Sequence, residues 1–261
     1  MKVLKKIGLP LLAAAIIIAI LYLAASAIGS ELILPSPTVI FKEFFGLLKT
    51  KIFYRELAMN LWRSFYSFAL AFLLAAFFAT VMSMSEVAEK LFNPFIMVMR
   101  AIPTISVILW VLMIFKSDAS PAAISFIVIF PMLYSAVIST VKARDRKLDE
   151  VAKVYGIKKS DVIFKMILPD VGERLIPQIA TTFAFNVKLI IAGEALSYTK
   201  LSLGREMKIA NANLETARLL ALTVAVVLLS IIAEYVLIGI WQISKRAVYG
   251  YTRRKIDKNL R

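Results

Sequence analysis

The sequence predicts an all-α integral membrane protein with six transmembrane helices. Three observations support this. Hydrophobic residues make up 60% of the 261, where soluble globular chains are roughly half apolar, and the mean hydropathy is +0.79. Six apolar runs are each long enough to cross a bilayer, which takes about twenty residues as a helix. Basic residues, which give a net charge of +15, cluster between and beyond those runs. In a soluble protein that charge would suggest nucleic acid; here it serves to orient the chain, and no nucleic-acid partner is expected.

The expected spans are 7–29, 60–84, 94–115, 121–141, 175–197 and 215–243. The first follows Lys2, Lys5 and Lys6 and ends near Ala25-Ser26-Ala27, as a secretory signal would. Its apolar length exceeds the roughly 7–15 residues of a signal core, so it is read as an uncleaved anchor. Between the first two spans, Val39, Ile40, Phe44, Leu47 and Leu48 recur at helical spacing from Pro37 onward. This segment forms either a helix in the membrane interface or one packed on its own protein. Pro103 and Pro131 fall inside spans and are expected to kink them. No internal repeat or low-complexity linker is visible, so residues 1–261 are read as one membrane domain.

Six spans place both termini on one side. With that side cytoplasmic, twenty Lys and Arg lie in inner segments and eight in outer ones. The positive-inside rule therefore puts both termini and the 142–174 segment in the cytoplasm.

That segment carries charged, helix-like pieces. Asp149 can cap a short helix with Glu150 in its first turn, and Gly156 can end it in a left-handed conformation. Ser160 can cap a second helix that stops before Pro169. On the first piece Leu148, Val151, Ala152 and Tyr155 share one side at three- and four-residue spacing. Such a face either enters a groove on another protein or packs on the chain's own helix ends.

The order Glu150, Val151, Ala152, Gly156, Met166, Leu168, Pro169 resembles the "EAA…G…I.LP" motif of membrane subunits of binding-protein-dependent ABC importers. Val151 replaces the usual Ala and Met166 the usual Ile. Three further stretches resemble the nitrate, sulfonate and taurine branch: "LPSPTVIFKEF" from Leu34, "MRAIPTISVILWVLMIF" from Met99, and "IIAGEALSYTKLSLG" from Ile190. In the second stretch, Val107 and Phe115 stand near where that branch has a proline and a glycine. The resemblance implies a type I ABC importer fold in a prokaryotic inner membrane. It also implies a second permease copy, an external solute-binding protein and a cytoplasmic ABC ATPase dimer. In that family the short helix docks on the ATPase, so Glu150, Val151, Ala152, Tyr155, Gly156, Leu168 and Pro169 become the ATPase-coupling residues. No G-x-x-x-x-G-K-[ST] loop occurs, so ATP and magnesium are expected on the partner and no cofactor on this chain.

Ionisable and polar groups in the spans are the candidates for solute contact. At about 100° per residue, Gln178, Thr182, Asn186, Gly193 and Ser197 form one stripe bordered by Glu194. The stripe, together with Arg100, is the candidate translocation path; the alternative is interhelical packing. Arg100, Lys188 and Glu234 lie at depths of roughly 10, 20 and 14 Å. An ion pair of Glu234 with one of the two bases is expected ahead of direct solute contact. Arg63 and Arg218, near the outer boundary, are expected to snorkel to headgroups.

With no Cys and no His, thiolate chemistry, imidazole catalysis and the usual zinc sites are excluded, and no catalytic or metal-binding residue is expected. The resemblance suggests a small anion such as a sulfonate or nitrate as solute, with a vitamin precursor or other small polar molecule as the alternative. A channel or passive facilitator is the competing class; it would need a pore but no docking helix.

Overall fold

The computed structural model describes residues 2–115, 117–143, 154 and 168–259. Nine helices follow one another among them: α1 (Lys2–Ile28), α2 (Pro37–Leu47), α3 (Lys51–Ser83), α4 (Glu86–Ala101), α5 (Thr104–Ile114), α6 (Ser120–Lys142), α7 (Leu168–Ser197), α8 (Leu203–Ala212) and α9 (Thr216–Asn259). No strand occurs among the described residues.

Among the described residues, four stretches are long and apolar enough to cross a membrane, Lys51–Ser83, Ser120–Lys142, Asp170–Ser197 and Thr216–Lys245, or five if the bent pair of α4 and α5 counts as one span. The predicted span 94–115 is not one straight helix. α4 and α5 meet at a bend of 90°, and the break falls at Ile102 and Pro103. The ring of Pro103 removes a backbone donor and forces Ile102 into extended backbone, ψ 125°, which ends α4. Pro131, by contrast, is carried inside the continuous helix α6. The predicted span 7–29 corresponds to α1, whose continuous apolar stretch among the described residues is the shorter Ala15–Ile28.

α6 is the hub of the bundle, touching α3, α4, α5 and α7. Ala71, Ala75 and Ala79 repeat every four residues on α3 and are fully buried. Their small side chains let α3 and α6 approach closely, the usual device where no water drives helices together. Phe78, Phe92, Phe130 and Tyr134 then lock α3, α4 and α6, with the Phe92 and Tyr134 rings 5.3 Å apart. A second apolar cluster joins α2, the start of α3, α7, α8 and α9 through Ile40, Phe53, Leu203 and Leu222. α2 thus packs on its own protein, against α9, while Phe41 and Phe45 on its other face stay exposed.

Candidate functional site

Two polar features stand out, one open to the surface and the other closed within the bundle. The first is a cavity of about 640 Å³ between α4, α6 and α7, lined by Arg100, Ser135, Ser139, Gln178, Thr181 and Thr182 among others. Helical geometry supplies these hydroxyls in rows: Ser135 and Ser139 are one turn apart on α6, as Gln178 and Thr182 are on α7. Thr182 Oγ1 donates to the Gln178 carbonyl at 2.7 Å and Ser135 Oγ to the Pro131 carbonyl at 2.8 Å. Pro177, which cannot donate a helical hydrogen bond, also faces the cavity. Arg100 is exposed, and its Nη1 reaches Ser135 Oγ at 3.5 Å. Among the described residues it makes no ion pair, so most of its five N–H donors stay available to a ligand.

The second feature is a dry seam between α3, α6 and α7. Asn186 is fully buried; its Nδ2 donates to the Ser64 carbonyl at 2.8 Å and its Oδ1 accepts from Ser125. Gly193 lies against α6, where a Cβ would sit 3.0 Å from Pro121 Cα. Glu194, also fully buried, accepts from Arg63 Nη1 at 2.9 Å and from the Gly204 backbone N–H at 3.2 Å. Ser197 Oγ bonds Thr199 Oγ1 at 2.6 Å, and Thr199 Oγ1 donates to the Ser117 carbonyl at 2.9 Å. The predicted stripe is therefore divided. Gln178 and Thr182 face the cavity with Arg100, whereas Asn186, Gly193, Glu194 and Ser197 are spent on contacts between helices.

Three charge assignments change. Glu234 pairs with neither Arg100 nor Lys188; α9 packs beside α7, so its carboxylate accepts from Thr181 Oγ1 at 2.8 Å, and Lys188 is exposed. Arg63 does not snorkel. It is 6% exposed and, besides Glu194, donates to the carbonyls of Lys200 at 3.1 Å and Leu201 at 3.3 Å. Arg218 pairs with Glu206 at 2.8 Å. Depth would have revealed the Arg63–Glu194 pair: each lies three residues from the end of its predicted span, and both ends fall on the same side. Ser135, Ser139 and Thr181 went unnoticed because isolated hydroxyls in an apolar run look like ordinary packing groups.

Of the residues expected to engage an ATPase, Glu150, Val151, Ala152, Tyr155 and Gly156 lie outside the described residues. Leu168 and Pro169 open α7. The flanks of the 142–174 segment are tied to the bundle. Arg174 Nη1 donates to the Ala143 carbonyl at 3.0 Å, so the end of α6 and the start of α7 are held side by side. Lys142 Nζ bonds Glu89 on α4 at 2.6 Å. Lys245 on α9 pairs with Glu173 on α7.

Residues 67–239 match the model of the family described as binding-protein-dependent transport system inner membrane component. The chain belongs to this family. Among curated relatives of this transport component is an aliphatic sulfonates transport permease protein of Escherichia coli (strain K12), 29% identical over 150 residues. That match covers 56% of each chain, so the chain spans just over half the length of that relative. An ABC transporter permease protein of Brucella melitensis biotype 1 is 27% identical over 201 residues, 74% of this chain and 80% of the relative. Among solved structures, an amino acid ABC transporter with histidines superposes with a TM-score of 0.59 at 18% identity, covering 78% of this chain and 98% of the other. A methionine ABC transporter in inward-facing conformations gives 0.51 at 16% identity, covering 71% and 93%. The fold of this transport component is the type I ABC importer permease fold.

Proposed function

We propose that the chain, as one permease domain, forms the translocation pathway of an ABC importer for a small anionic solute of the sulfonate class. A second copy completes the pathway, an external binding protein delivers solute on the α2 and α8 side, and a separate ATPase dimer engages the 142–174 segment in the cytoplasm. The observation that carries the solute class is Arg100, a guanidinium with no ion pair among the described residues, at a cavity whose polar lining is Ser135, Ser139, Gln178, Thr181 and Thr182. Its planar fork suits the oxygens of a sulfonate or carboxylate. The Arg174 tether supports coupling, because a push on the 142–174 segment is delivered to α6 and α7 together.

The test is uptake by proteoliposomes containing the permease, its ATPase and its binding protein. Hydrogen bonds to a charged group contribute about 1.5–3 kcal/mol, so Arg100→Gln should cut uptake about 10- to 100-fold. Basal ATP hydrolysis should persist, and Arg100→Lys should restore part of the loss. Wild-type uptake by Arg100→Gln would exclude the anion reading. Glu150→Ala should abolish solute-stimulated ATP hydrolysis without altering the fold. Uptake that continues without any ATPase would instead mark a passive facilitator.

A further inference from the structure

A second cavity, of about 210 Å³, lies at the opposite end of the bundle from the 142–174 segment, between α2 and the starts of α3, α8 and α9. Three carboxylates, Glu43, Glu56 and Glu206, and one guanidinium, Arg218, line it. Arg218 is already occupied: it bonds Glu206 at 2.8 Å and approaches Glu215 at 4.0 Å. Glu56 is only 5% exposed, and among the described residues it makes no hydrogen bond or ion pair. Arg218 and, more weakly, Arg205 act on it through space, without contact, against the like charges of Glu206 and Glu194. Glu43, across the cavity, is exposed and likewise unpaired.

A buried carboxylate without a partner is costly in its ionised form, and a cation beside it favours that form. The geometry limits which cation. Among the described residues no three carboxylates converge closely enough to hold a metal ion. The walls, Leu47, Ile52, Phe53 and Leu222, are apolar, so the cavity offers carboxylate acceptors at one part and hydrocarbon at the rest. An ammonium on a short alkyl stem matches both: its N–H groups donate to Glu56 and Glu43, and its methylenes cover the apolar wall.

We propose that this cavity is a binding site for an alkylammonium group, with Glu56 as the principal acceptor and Glu43 as the second. The group comes from one of two sources, a free small amine or a lysine side chain of a protein docked on this end. This cavity shares no lining residue with the Arg100 cavity, so the site stands apart from the proposed solute pathway.

The experiment is thermal unfolding of the full chain in detergent, with n-butylammonium chloride added against equal concentrations of sodium chloride and tetramethylammonium chloride. Tetramethylammonium carries the charge but has no N–H to donate. At about ten times its Kd, butylammonium should raise Tm by roughly 2–4 °C, and neither control should. The rise should vanish in Glu56→Gln and shrink in Glu43→Gln, whose exposed position leaves folding unaffected. An equal shift with all three salts, or a full shift in Glu56→Gln, overturns the site. A second arm identifies the source and is read only once the first has succeeded. If butylammonium weakens binding-protein association with the reconstituted transporter severalfold, the ammonium is a side chain of that protein; unchanged association assigns a free amine. The first arm needs no partner and no transport, so failure of the importer reading and failure of this site are separately visible.

Discussion

Arg63→Ala is expected to destabilise the protein by about 3–5 kcal/mol, because it strands a buried carboxylate. Glu194 is fully buried and holds two partners, Arg63 Nη1 at 2.9 Å and the Gly204 N–H at 3.2 Å. Removing the guanidinium leaves the backbone donor alone to support a charge within the bundle. The same change strips the carbonyls of Lys200 and Leu201 of their donors. Those carbonyls belong to a turn whose Tyr198 and Leu201 adopt left-handed backbone, φ 53° and 49°, a conformation that costs a non-glycine residue about 1–3 kcal/mol. The turn keeps this shape because several bonds determine it at once: Arg63 from α3, Thr199 to Ser117, and the Lys200 N–H to Asp118. Glu194→Ala should cost less, since the guanidinium retains two carbonyl acceptors. Glu194→Gln should cost least, its amide oxygen still able to accept. Arg63→Met combined with Glu194→Gln should recover much of the loss, as replacement of a buried pair by apolar or neutral groups often does. Thermal unfolding in detergent reads the series, with Arg63→Ala expected to lower Tm by roughly 10 °C. A drop of under 2 °C would show that the pair is not what holds α3 to the α7–α8 turn.

Apolar length is a one-dimensional property, so the expected spans 60–84, 121–141, 175–197 and 215–243 coincide with helices long enough to cross a membrane, whereas 94–115 is bent and 7–29 holds a shorter apolar stretch among the described residues. Sequence reasoning placed α2 from the spacing of Val39, Ile40, Phe44 and Leu47, and the α4–α5 break from Pro103. It failed where the answer depends on which helix is whose neighbour. The polar stripe of α7 is continuous on a helical wheel, yet α6 and α3 cover its middle and end while leaving Gln178 and Thr182 open, and no periodicity within one helix reveals that. Glu234 was matched to Arg100 and Lys188 by depth alone, but pairing also requires adjacency, and Thr181 is the group adjacent to it. The stretch "AGEALSYTKLSLG" resembles a family signature, and the structure supplies its physics: Glu194 reaches the N-terminus of α8 at Gly204, while Ser202 caps the same helix by accepting from the Arg205 N–H at 3.2 Å. An anion and a cap at a helix N-terminus are mutually reinforcing, but the meeting of Glu194 with Gly204, ten residues on, needs the fold to be seen.

Gly204→Ala is the other substitution with a large expected effect, and its reason is steric. A Cβ at this position would lie 2.2 Å from the Ile191 carbonyl oxygen and 2.6 Å from both the Ala195 nitrogen and Glu194 Cβ. Two of these three atoms are backbone of α7, so no side-chain rotation relieves the overlap, and the start of α8 must move away. That movement lengthens the Gly204 N–H to Glu194 bond and draws Leu203, fully buried in the outer cluster, out of its site. Overpacking against rigid neighbours and loss of a hydrogen bond to a charged group together place the cost at about 3–4 kcal/mol. Gly193→Ala meets Pro121 Cα at 3.0 Å and Ile124 Cδ1 at 3.3 Å, so it should cost less, about 1–2 kcal/mol, as α6 and α7 part slightly. Gly46→Ala and Gly239→Ala provide the contrast: nothing lies within 4 Å of either new methyl, and alanine in a helix interior is favoured over glycine by roughly 0.5–1 kcal/mol. Thermal unfolding should therefore rank Gly204→Ala far below wild type, Gly193→Ala between, and the other two at or above wild type. Equal stability of Gly204→Ala and Gly46→Ala would mean that α8 does not sit against α7 as closely as the Glu194 bond requires.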